Sequence, residues 1–345
     1  MSGTSRARGA SRLLAALSIG LLAVLTACST TTGGGSTSGT ELSLVAFSVP
    51  KPAYDDLQKS FADSDAGKGT TWKSSYGASG DQARAVISGL PADYVGFSLA
   101  TDMTKLVDKD LVAKDWDAGP NKGIVSTSVV VIVVREGNPL GIKGWDDLVK
   151  PGVKIVTPNP GSSGSARWNV LAAWSHITAN GGSEADATSY LTKYYKNIVS
   201  LPSSGREATS AFTSGTGDVL ISYENEAIAA RQSGAKVDYV IPDTTLKIEN
   251  PGAVTTKAPE TAKKFLDYVI SDDGQKVFAS HGFRPINAEL DPGTVEGAND
   301  PAAPFPAVKK LATIDDFGGW SAAAKKFFDE KTGIVTKIQD SSAVS

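Results

Sequence analysis

Residues 126–135 read STSVVVIVVR and contain six consecutive β-branched aliphatic residues, from Val129 to Val134. An apolar run of this length, bounded by polar residues, predicts a strand whose two faces are both buried. Strands of this kind belong to sheets that are covered by helices on both sides. The segment therefore favours an α/β fold.

On both sides of this segment, short apolar runs alternate with helical patterns. The other strand candidates are residues 42–47, 71–76, 94–97, 153–157, 198–201, 219–223 and 237–241. The helical candidates are residues 52–62, 81–90, 145–149, 166–179, 187–197, 206–212, 226–233, 258–270, 273–280 and 321–328. This alternation predicts doubly wound, mostly parallel sheets.

The 345 residues are enough for two compact domains. A second domain inserted into the first, with chain crossings near residues 123–127 and 242–245, explains both the long buried strand and the late helices. We expect residues 41–125 together with 243–335 to form lobe one and residues 126–242 to form lobe two. Residues 336–345 are expected to be a tail.

The N-terminus has the layout of a secretory signal. Arg6, Arg8 and Arg12 precede an apolar run that ends at Leu-Thr-Ala-Cys28, and this run is too short to span a bilayer comfortably. The last four residues resemble the lipobox of bacterial lipoproteins. We therefore expect residues 1–27 to be a signal peptide and Cys28 to carry the lipid. Residues 28–40 are rich in Gly, Ser and Thr and predict a flexible tether.

Charge and cysteine content exclude several classes of function. Removing residues 1–27 takes away three of the 34 basic residues and none of the 37 acidic ones, so the mature chain is near −6. A net-negative chain without a basic block is a poor candidate for binding nucleic acid. Cys28 is the only cysteine, which excludes an internal disulfide and a thiolate metal cluster. No cofactor is expected.

Four junctions between a predicted strand and the next helix are rich in Gly, Ser and helix-start residues. They are Ser48-Val49-Pro50, GASGDQ (residues 77–82), NPGSSGS (159–165) and SSGR (203–206). Helix starts present free backbone N–H groups and a partial positive charge, so they bind anions without a formal counter-charge. In doubly wound sheets these loops meet beyond the carboxyl ends of the strands. The four loops together predict an anion site, although each alone also fits plain capping, such as a capping box between Ser79 and Gln82.

Signatures of catalysis are weak by comparison. The chain has two histidines, His176 and His281, and neither is next to a serine in a nucleophile-elbow pattern. The GKGT of residues 67–70 lacks the full phosphate-loop form. No His, Asp and Glu cluster has metal-ligand spacing. We expect a binding protein rather than an enzyme.

Five segments closely resemble the periplasmic sulfate-binding proteins of ABC sulfate and thiosulfate importers. They are YGASGDQA (76–83), PNPGSSGSARWN (158–169), GDVLISYENE (217–226), GFRP (282–285) and IDDFGGW (314–320). Within that family, the chain resembles the mycobacterial and related actinobacterial lipoproteins. The resemblance implies a two-lobed, hinge-closing solute-binding fold of type II with the anion in a cleft between the lobes. It also implies a monomer anchored outside the cytoplasm that delivers sulfate or thiosulfate to permease subunits.

The resemblance also implies roles for individual residues. Ser79 and Ser163 would donate hydroxyl groups, and backbone N–H donors would come from Ser163, Gly164, Ser165 and Gly205. Ser48 and Val49 would line the site, with Val49 contributing its N–H where many members have aspartate. Tyr223 takes the place of a tryptophan donor, which leaves sulfate and thiosulfate both open. Arg167 and Arg206 would brace the donor loops from behind.

Two alternatives to sulfate or thiosulfate binding remain. One is a binding protein for molybdate, tungstate or phosphate, since the size of the pocket is not visible in a sequence. Phosphate is disfavoured because it keeps a proton at neutral pH, and a site made only of donors leaves that proton unpaired. The other is a sulfatase or another hydrolase, which would need a nucleophile and a metal-binding cluster of acids that the motifs do not contain.

Overall fold

The computed structural model describes residues 39–342, so the predicted signal peptide, Cys28 and most of the tether lie outside the described residues. The strands in this range are β1 (Glu41–Phe47), β2 (Thr71–Gly77), β3 (Tyr94–Gly96), β4 (Ile124–Arg135), β5 (Ile155–Val156), β6 (Ile198–Ser200), β7 (Val219–Tyr223), β8 (Val237–Val240), β9 (Thr244–Val254) and β10 (Lys310–Ala312).

The α-helices of the described residues are α1 (Lys51–Asp63), α2 (Ser79–Ile87), α3 (Ala100–Val107), α4 (Gly164–Thr178), α5 (Glu184–Lys196), α6 (Gly205–Thr213), α7 (Glu224–Gln232), α8 (Glu260–Ile270), α9 (Asp272–Ser280), α10 (Gly319–Phe328) and α11 (Ile334–Ser342). Two 3₁₀ helices cover Trp145–Val149 and Ile314–Phe317. None of these helices is long and apolar enough to span a membrane.

The strands form one continuous sheet in the order β2-β1-β3-β9-β4-β7-β5-β6, with β8 beside β4 and β10 beside β9. Two parts of it contain parallel pairs and also an antiparallel strand, because β3 pairs antiparallel with β9, and β7 and β8 pair antiparallel with β4. We call β1, β2, β3 and residues 252–254 of β9 the N-terminal half-sheet. The central half-sheet consists of β5, β6, β7, β8 and residues 130–135 of β4. The long strands β4 and β9 lie between the two half-sheets and pair antiparallel with each other. Each begins at one of the two predicted chain crossings.

β4 confirms the prediction of a strand buried on both faces. The side chains of residues 129–134 are each at most 2% exposed. Val130 and its even-numbered neighbours lie in one apolar core with Trp145, while Val131 and its odd-numbered neighbours lie in a second core with Phe212. Because side chains alternate along a strand, an uninterrupted apolar run fills both cores.

β9 was predicted only as a chain crossing, although it is an 11-residue strand. Its sequence contains Asn250-Pro251-Gly252, which is typical of a turn. The pairing of β4 with β9 shifts register at this point, between Ile124 opposite Pro251 and Ser126 opposite Asn250. Proline has no N–H for the ladder, and such an irregularity accommodates it inside a strand.

The C-terminal segment packs against residues of both predicted lobes. Val295 lies in the core that contains Phe212. The ring of Trp320 in α10 contacts that of Trp168 in α4, with centroids 4.5 Å apart. Ile338, expected in a tail, is buried in α11. This segment thus lies against helices of residues 126–242, because its apolar positions match α4 and α5, and α10 also contacts α3 within residues 41–125. The lobe boundaries themselves stay a prediction.

Candidate functional site

Each of the four Gly/Ser-rich loops lies where a helix begins after a strand. Ser48 and Val49 connect β1 to α1, and Ser79 is the first residue of α2. Ser163 is the N-cap of α4, so Gly164 and Ser165 form its first turn. Gly205 begins α6, and Tyr223 is the N-cap of α7. The first turn of a helix leaves its N–H groups without intrahelical acceptors, so these positions are suited to an anion.

Loops of the two half-sheets come into direct contact at these helix starts. A Cβ added at Gly164 would lie 2.6 Å from Ser98 Cβ, and one added at Gly205 would lie 2.9 Å from Val49 Cγ2 and from Ser165 Oγ. No side chain fits at either glycine without displacing the opposite loop. The structure therefore brings Val49, Gly164, Ser165 and Gly205 into one buried cluster.

Ser98, which is not among the predicted site residues, lies at the centre of this cluster. It is completely buried. Its Oγ is 2.8 Å from the Tyr223 hydroxyl oxygen. Its carbonyl accepts hydrogen bonds from Trp168 Nε1 at 2.9 Å and from Asn250 Nδ2 at 3.3 Å. The signal for Ser98 was its position directly after the predicted strand at residues 94–97, the same rule that selected the other loops.

Ser79 occupies its predicted place, but its hydroxyl is already engaged. Ser79 Oγ donates to Asp102 Oδ2 at 2.7 Å and accepts from the Ser98 N–H at 3.0 Å. Ala78, not Ser79, is the N-cap of α2, so the predicted capping box is wrong. Gln82 Oε1 instead accepts from Ser75 Oγ. In this structure the Ser79 hydroxyl orients Ser98, and the Ser79 N–H belongs to the first turn of α2, where it has no intrahelical acceptor.

Ser163 and Ser48 also use part of their donor capacity within the protein. The Ser163 N–H donates to Asn159 O at 2.8 Å, which closes the loop before α4 and leaves the buried Ser163 hydroxyl as its donor. The Ser48 N–H donates to Gly77 O at 2.9 Å, which joins the loops that follow β1 and β2. Of the two predicted donors on Ser163, only the hydroxyl remains for a ligand.

Tyr223 is completely buried, and its hydroxyl faces polar side chains. Burial raises the pKa of Tyr223 well above its usual value, while hydrogen bonding with Ser98, Ser165 and Asn250 opposes the rise. The phenol is therefore protonated across the physiological range. Its hydroxyl is held inside the polar cluster by groups from both half-sheets and β9.

Arg206 and Arg167 each hold a loop of the site. Arg206 Nη2 donates to Val49 O at 2.8 Å and is 2.8 Å from Glu226 Oε1. It thereby ties α6 and α7 to the loop after β1. Arg167 Nε donates to Pro160 O at 3.0 Å, which holds the loop before α4. Burial lowers the pKa of the Arg167 guanidinium, and the Asp102 carboxylate opposes this change.

Other polar groups do not form a catalytic arrangement. His176 Nε2 and His281 Nε2 each lie 2.8 Å from an exposed aspartate, Asp146 and Asp56 respectively. Within residues 39–342, no cluster of His, Cys, Asp and Glu could hold a metal ion. A surface cavity of about 730 Å³ that includes His176 contains none of the predicted site residues.

Comparisons with known proteins identify the family of this chain. Residues 42–284 match the family described as bacterial extracellular solute-binding protein. The chain is 39% identical to the sulfate-binding protein of Synechococcus elongatus, over 95% of this chain and 96% of that protein. It is 36% identical to the thiosulfate-binding protein of Pseudomonas aeruginosa, over 86% and 91% of the two chains.

Solved structures give the same result. The sulfate-binding protein SubI from Mycobacterium tuberculosis superposes with a TM-score of 0.78 at 43% identity, covering 84% of this chain and all of that one. The periplasmic binding protein AfuA from Actinobacillus pleuropneumoniae, only 17% identical, has a TM-score of 0.65 over 89% of this chain and 99% of that one, and shows the shared fold.

These comparisons confirm the predicted periplasmic-binding-protein fold, whose sheet is mixed, and the prediction of a solute-binding protein rather than an enzyme. The chain belongs to the bacterial extracellular solute-binding proteins, in the family of the sulfate- and thiosulfate-binding proteins.

Proposed function

We propose that this protein binds sulfate between the two half-sheets and delivers it to the permease of an ABC importer. The observation that carries the proposal is the meeting of helix starts from both half-sheets in one buried polar cluster. The similarity to sulfate-binding proteins of 39% and 43% identity supports sulfate as the ligand. The half-sheets are the two lobes, and β4 and β9 are the connections about which they open.

The donors are backbone N–H groups and hydroxyls rather than cations. The N–H groups of Gly164, Ser165 and Gly205 lie in the first turns of α4 and α6, where each helix adds about half a positive charge. The Ser163 hydroxyl adds another donor. Each hydrogen bond to a charged acceptor contributes about 1.5–3 kcal/mol, so several of them offset the loss of hydration of a dianion.

The buried carboxylates near the site all have partners. Asp102 accepts from Ser79 and Lys105, and Glu226 pairs with Arg206 and Thr209. Both carboxylates are paired with cations, although Glu226 Oε1 makes no hydrogen bond beyond that ion pair, and a carboxylate held by a cation is a poor acceptor for the proton that phosphate retains at neutral pH. A dianion without a proton, such as sulfate, therefore fits this site better than phosphate.

Thiosulfate is the second candidate ligand. The Pseudomonas aeruginosa relative named as thiosulfate-binding is 36% identical over nine-tenths of its length. Thiosulfate has the same charge as sulfate and replaces one oxygen by a sulfur, which is a weaker hydrogen-bond acceptor. We expect thiosulfate to bind with its sulfur directed at the weakest hydrogen-bond donor of the site.

The protein would act outside the cytoplasm, held at the membrane by lipid on Cys28. The arginine-rich start, the apolar run and the Leu-Thr-Ala-Cys28 sequence support this anchor. Acyl chains contribute about 0.8 kcal/mol per buried CH₂, so two or more chains give a stable anchor. The Gly/Ser/Thr tether would let a monomer reach its permease.

Calorimetric titration tests the proposal. Residues 29–345 contain the whole described fold and can be titrated with sulfate, thiosulfate, molybdate and phosphate. Sulfate should bind most tightly or share first place with thiosulfate, and phosphate should give no heat of binding at comparable concentrations. Preference for molybdate or phosphate would refute the proposed ligand.

A further inference from the structure

The side chain of Ser98 lies next to the backbone donors of the site. Its Oγ lies 2.7 Å from the place where a Cβ on Gly164 would be, next to the first turn of α4. It also lies 2.8 Å from the Tyr223 hydroxyl. Ser98 is held there from several sides, because its N–H and its carbonyl both have buried partners in Ser79 and Trp168.

Ser98 and Tyr223 together carry two hydroxyl hydrogens, and the hydrogen bond between them uses one. The other is available for a ligand. Either hydroxyl can donate in this bond, and when Tyr223 donates to Ser98 Oγ the hydrogen that remains is that of Ser98. The side chains of Ser165 and Asn250 also face the Tyr223 hydroxyl, which is enclosed on the protein side. Ser98 is the member of the pair that adjoins Gly164.

We propose that Ser98 donates its hydroxyl hydrogen directly to the bound anion, and that Tyr223 acts on the anion through Ser98. This inference rests on the proposed function and names a ligand-binding residue within that site. A hydroxyl that accepts one hydrogen bond becomes a stronger donor in the next, so the Tyr223 phenol strengthens the Ser98 donor. Ser98 is then a ligand-binding residue, and Tyr223 is a positioning residue.

The two hydroxyls therefore have unequal effects on affinity. Ser98→Ala removes the donor and leaves a buried anion short of a partner, so the sulfate dissociation constant should rise about tenfold to a hundredfold. Tyr223→Phe leaves the Ser98 donor in place and removes only its strengthening by the phenol. The sulfate dissociation constant should therefore rise about fivefold or less. The double variant should resemble Ser98→Ala alone, since Tyr223 has nothing to act through once Ser98 is gone.

The test is a calorimetric titration of residues 29–345 with sodium sulfate for wild type, both single variants and the double variant. Ser175→Ala is the matched control, because Ser175 is also buried but lies about 15 Å along α4 from Ser165. Thermal unfolding without sulfate separates lost binding from lost folding. The control should bind as wild type does.

The outcomes distinguish this inference from the proposed function. If wild type fails to bind sulfate, the proposed function falls and this inference falls with it. If wild type binds and Ser98→Ala binds within twofold of it, only the role of Ser98 is overturned. A loss in Tyr223→Phe of tenfold or more would show that the phenol contacts the anion itself, and this variant decides the matter even if Ser98→Ala does not fold.

Discussion

Gly164→Ala should hold the two half-sheets apart without unfolding the protein. The added Cβ would lie 2.6 Å from Ser98 Cβ, 2.7 Å from Ser98 Oγ and 2.9 Å from Leu99 Cγ. Carbon atoms pack favourably at about 3.5–4.0 Å, so the opposite loop must move by about 1 Å. The clashing atoms of Ser98 lie close to its backbone, and therefore the loop itself has to shift.

A shift of about 1 Å is enough to break the contacts between the half-sheets. The Ser98–Tyr223 bond of 2.8 Å and the Trp168–Ser98 bond of 2.9 Å would both exceed hydrogen-bonding distance. At about 1 kcal/mol each, their loss weakens closure by about 2 kcal/mol, or roughly thirtyfold in the sulfate dissociation constant. Gly164 is the first residue of α4, where alanine is the better helix former by up to about 1 kcal/mol, so the free energy of unfolding should fall by only about 1 kcal/mol.

Titration with sulfate and thermal unfolding without it measure these two effects separately. Gly119→Ala is the control, because a Cβ at Gly119 meets no atom within 4 Å. Wild-type affinity in Gly164→Ala, together with unchanged unfolding, would contradict the argument that the half-sheets must touch for the anion to bind.

Three further predictions follow from the charges and the N-terminus. Burial raises the pKa of Glu226 and Arg206 opposes this, so in Arg206→Met the pKa rises further. A raised folded-state pKa means that the folded state binds more protons than the unfolded one, and stability falls as pH rises above the unfolded value. The free energy of unfolding, measured with denaturant, should thus fall more between pH 5 and pH 7 in Arg206→Met than in wild type. An equal fall in the two proteins would contradict the Arg206–Glu226 pairing. Cys28→Ser should move the protein from the membrane fraction to the soluble fraction on cell fractionation, whereas retention on the membrane would refute the lipid anchor. Sulfate affinity should stay nearly constant from pH 6 to 8, because sulfate remains a dianion and neither histidine lies in the site, and displacement of sulfate by equimolar phosphate would contradict a site without a free acceptor.

Local patterns predicted the parts of the fold that depend on local sequence. The run at residues 129–134 identified β4 as a strand buried on both faces, and the structure confirms it. The glycine and serine clusters identified the starts of α2, α4 and α6, because chain conformation at a helix start is determined by a few adjacent residues. The strand β9 was not predicted, because Asn250-Pro251-Gly252 is typical of a turn. Only its pairing with β4 shows that these residues belong to a strand.

Contacts between distant residues could not be predicted in the same way. Ser79 was assigned a free hydroxyl, but Asp102, 23 residues later, accepts its hydrogen. Ser98 and Tyr223 are separated by 125 residues, and only the folded chain brings their hydroxyls together. The packing of α10 on α4 likewise depends on two tryptophans, Trp168 and Trp320, whose pairing no local pattern contains.

A crystal structure of residues 29–345 grown with sulfate tests the central claim most directly. We predict one sulfate enclosed between the half-sheets, with oxygens about 2.7–3.1 Å from the backbone nitrogens of Gly164, Ser165 and Gly205. A sulfate that contacts only surface lysines or arginines, with these three N–H groups turned away from it, would contradict the account.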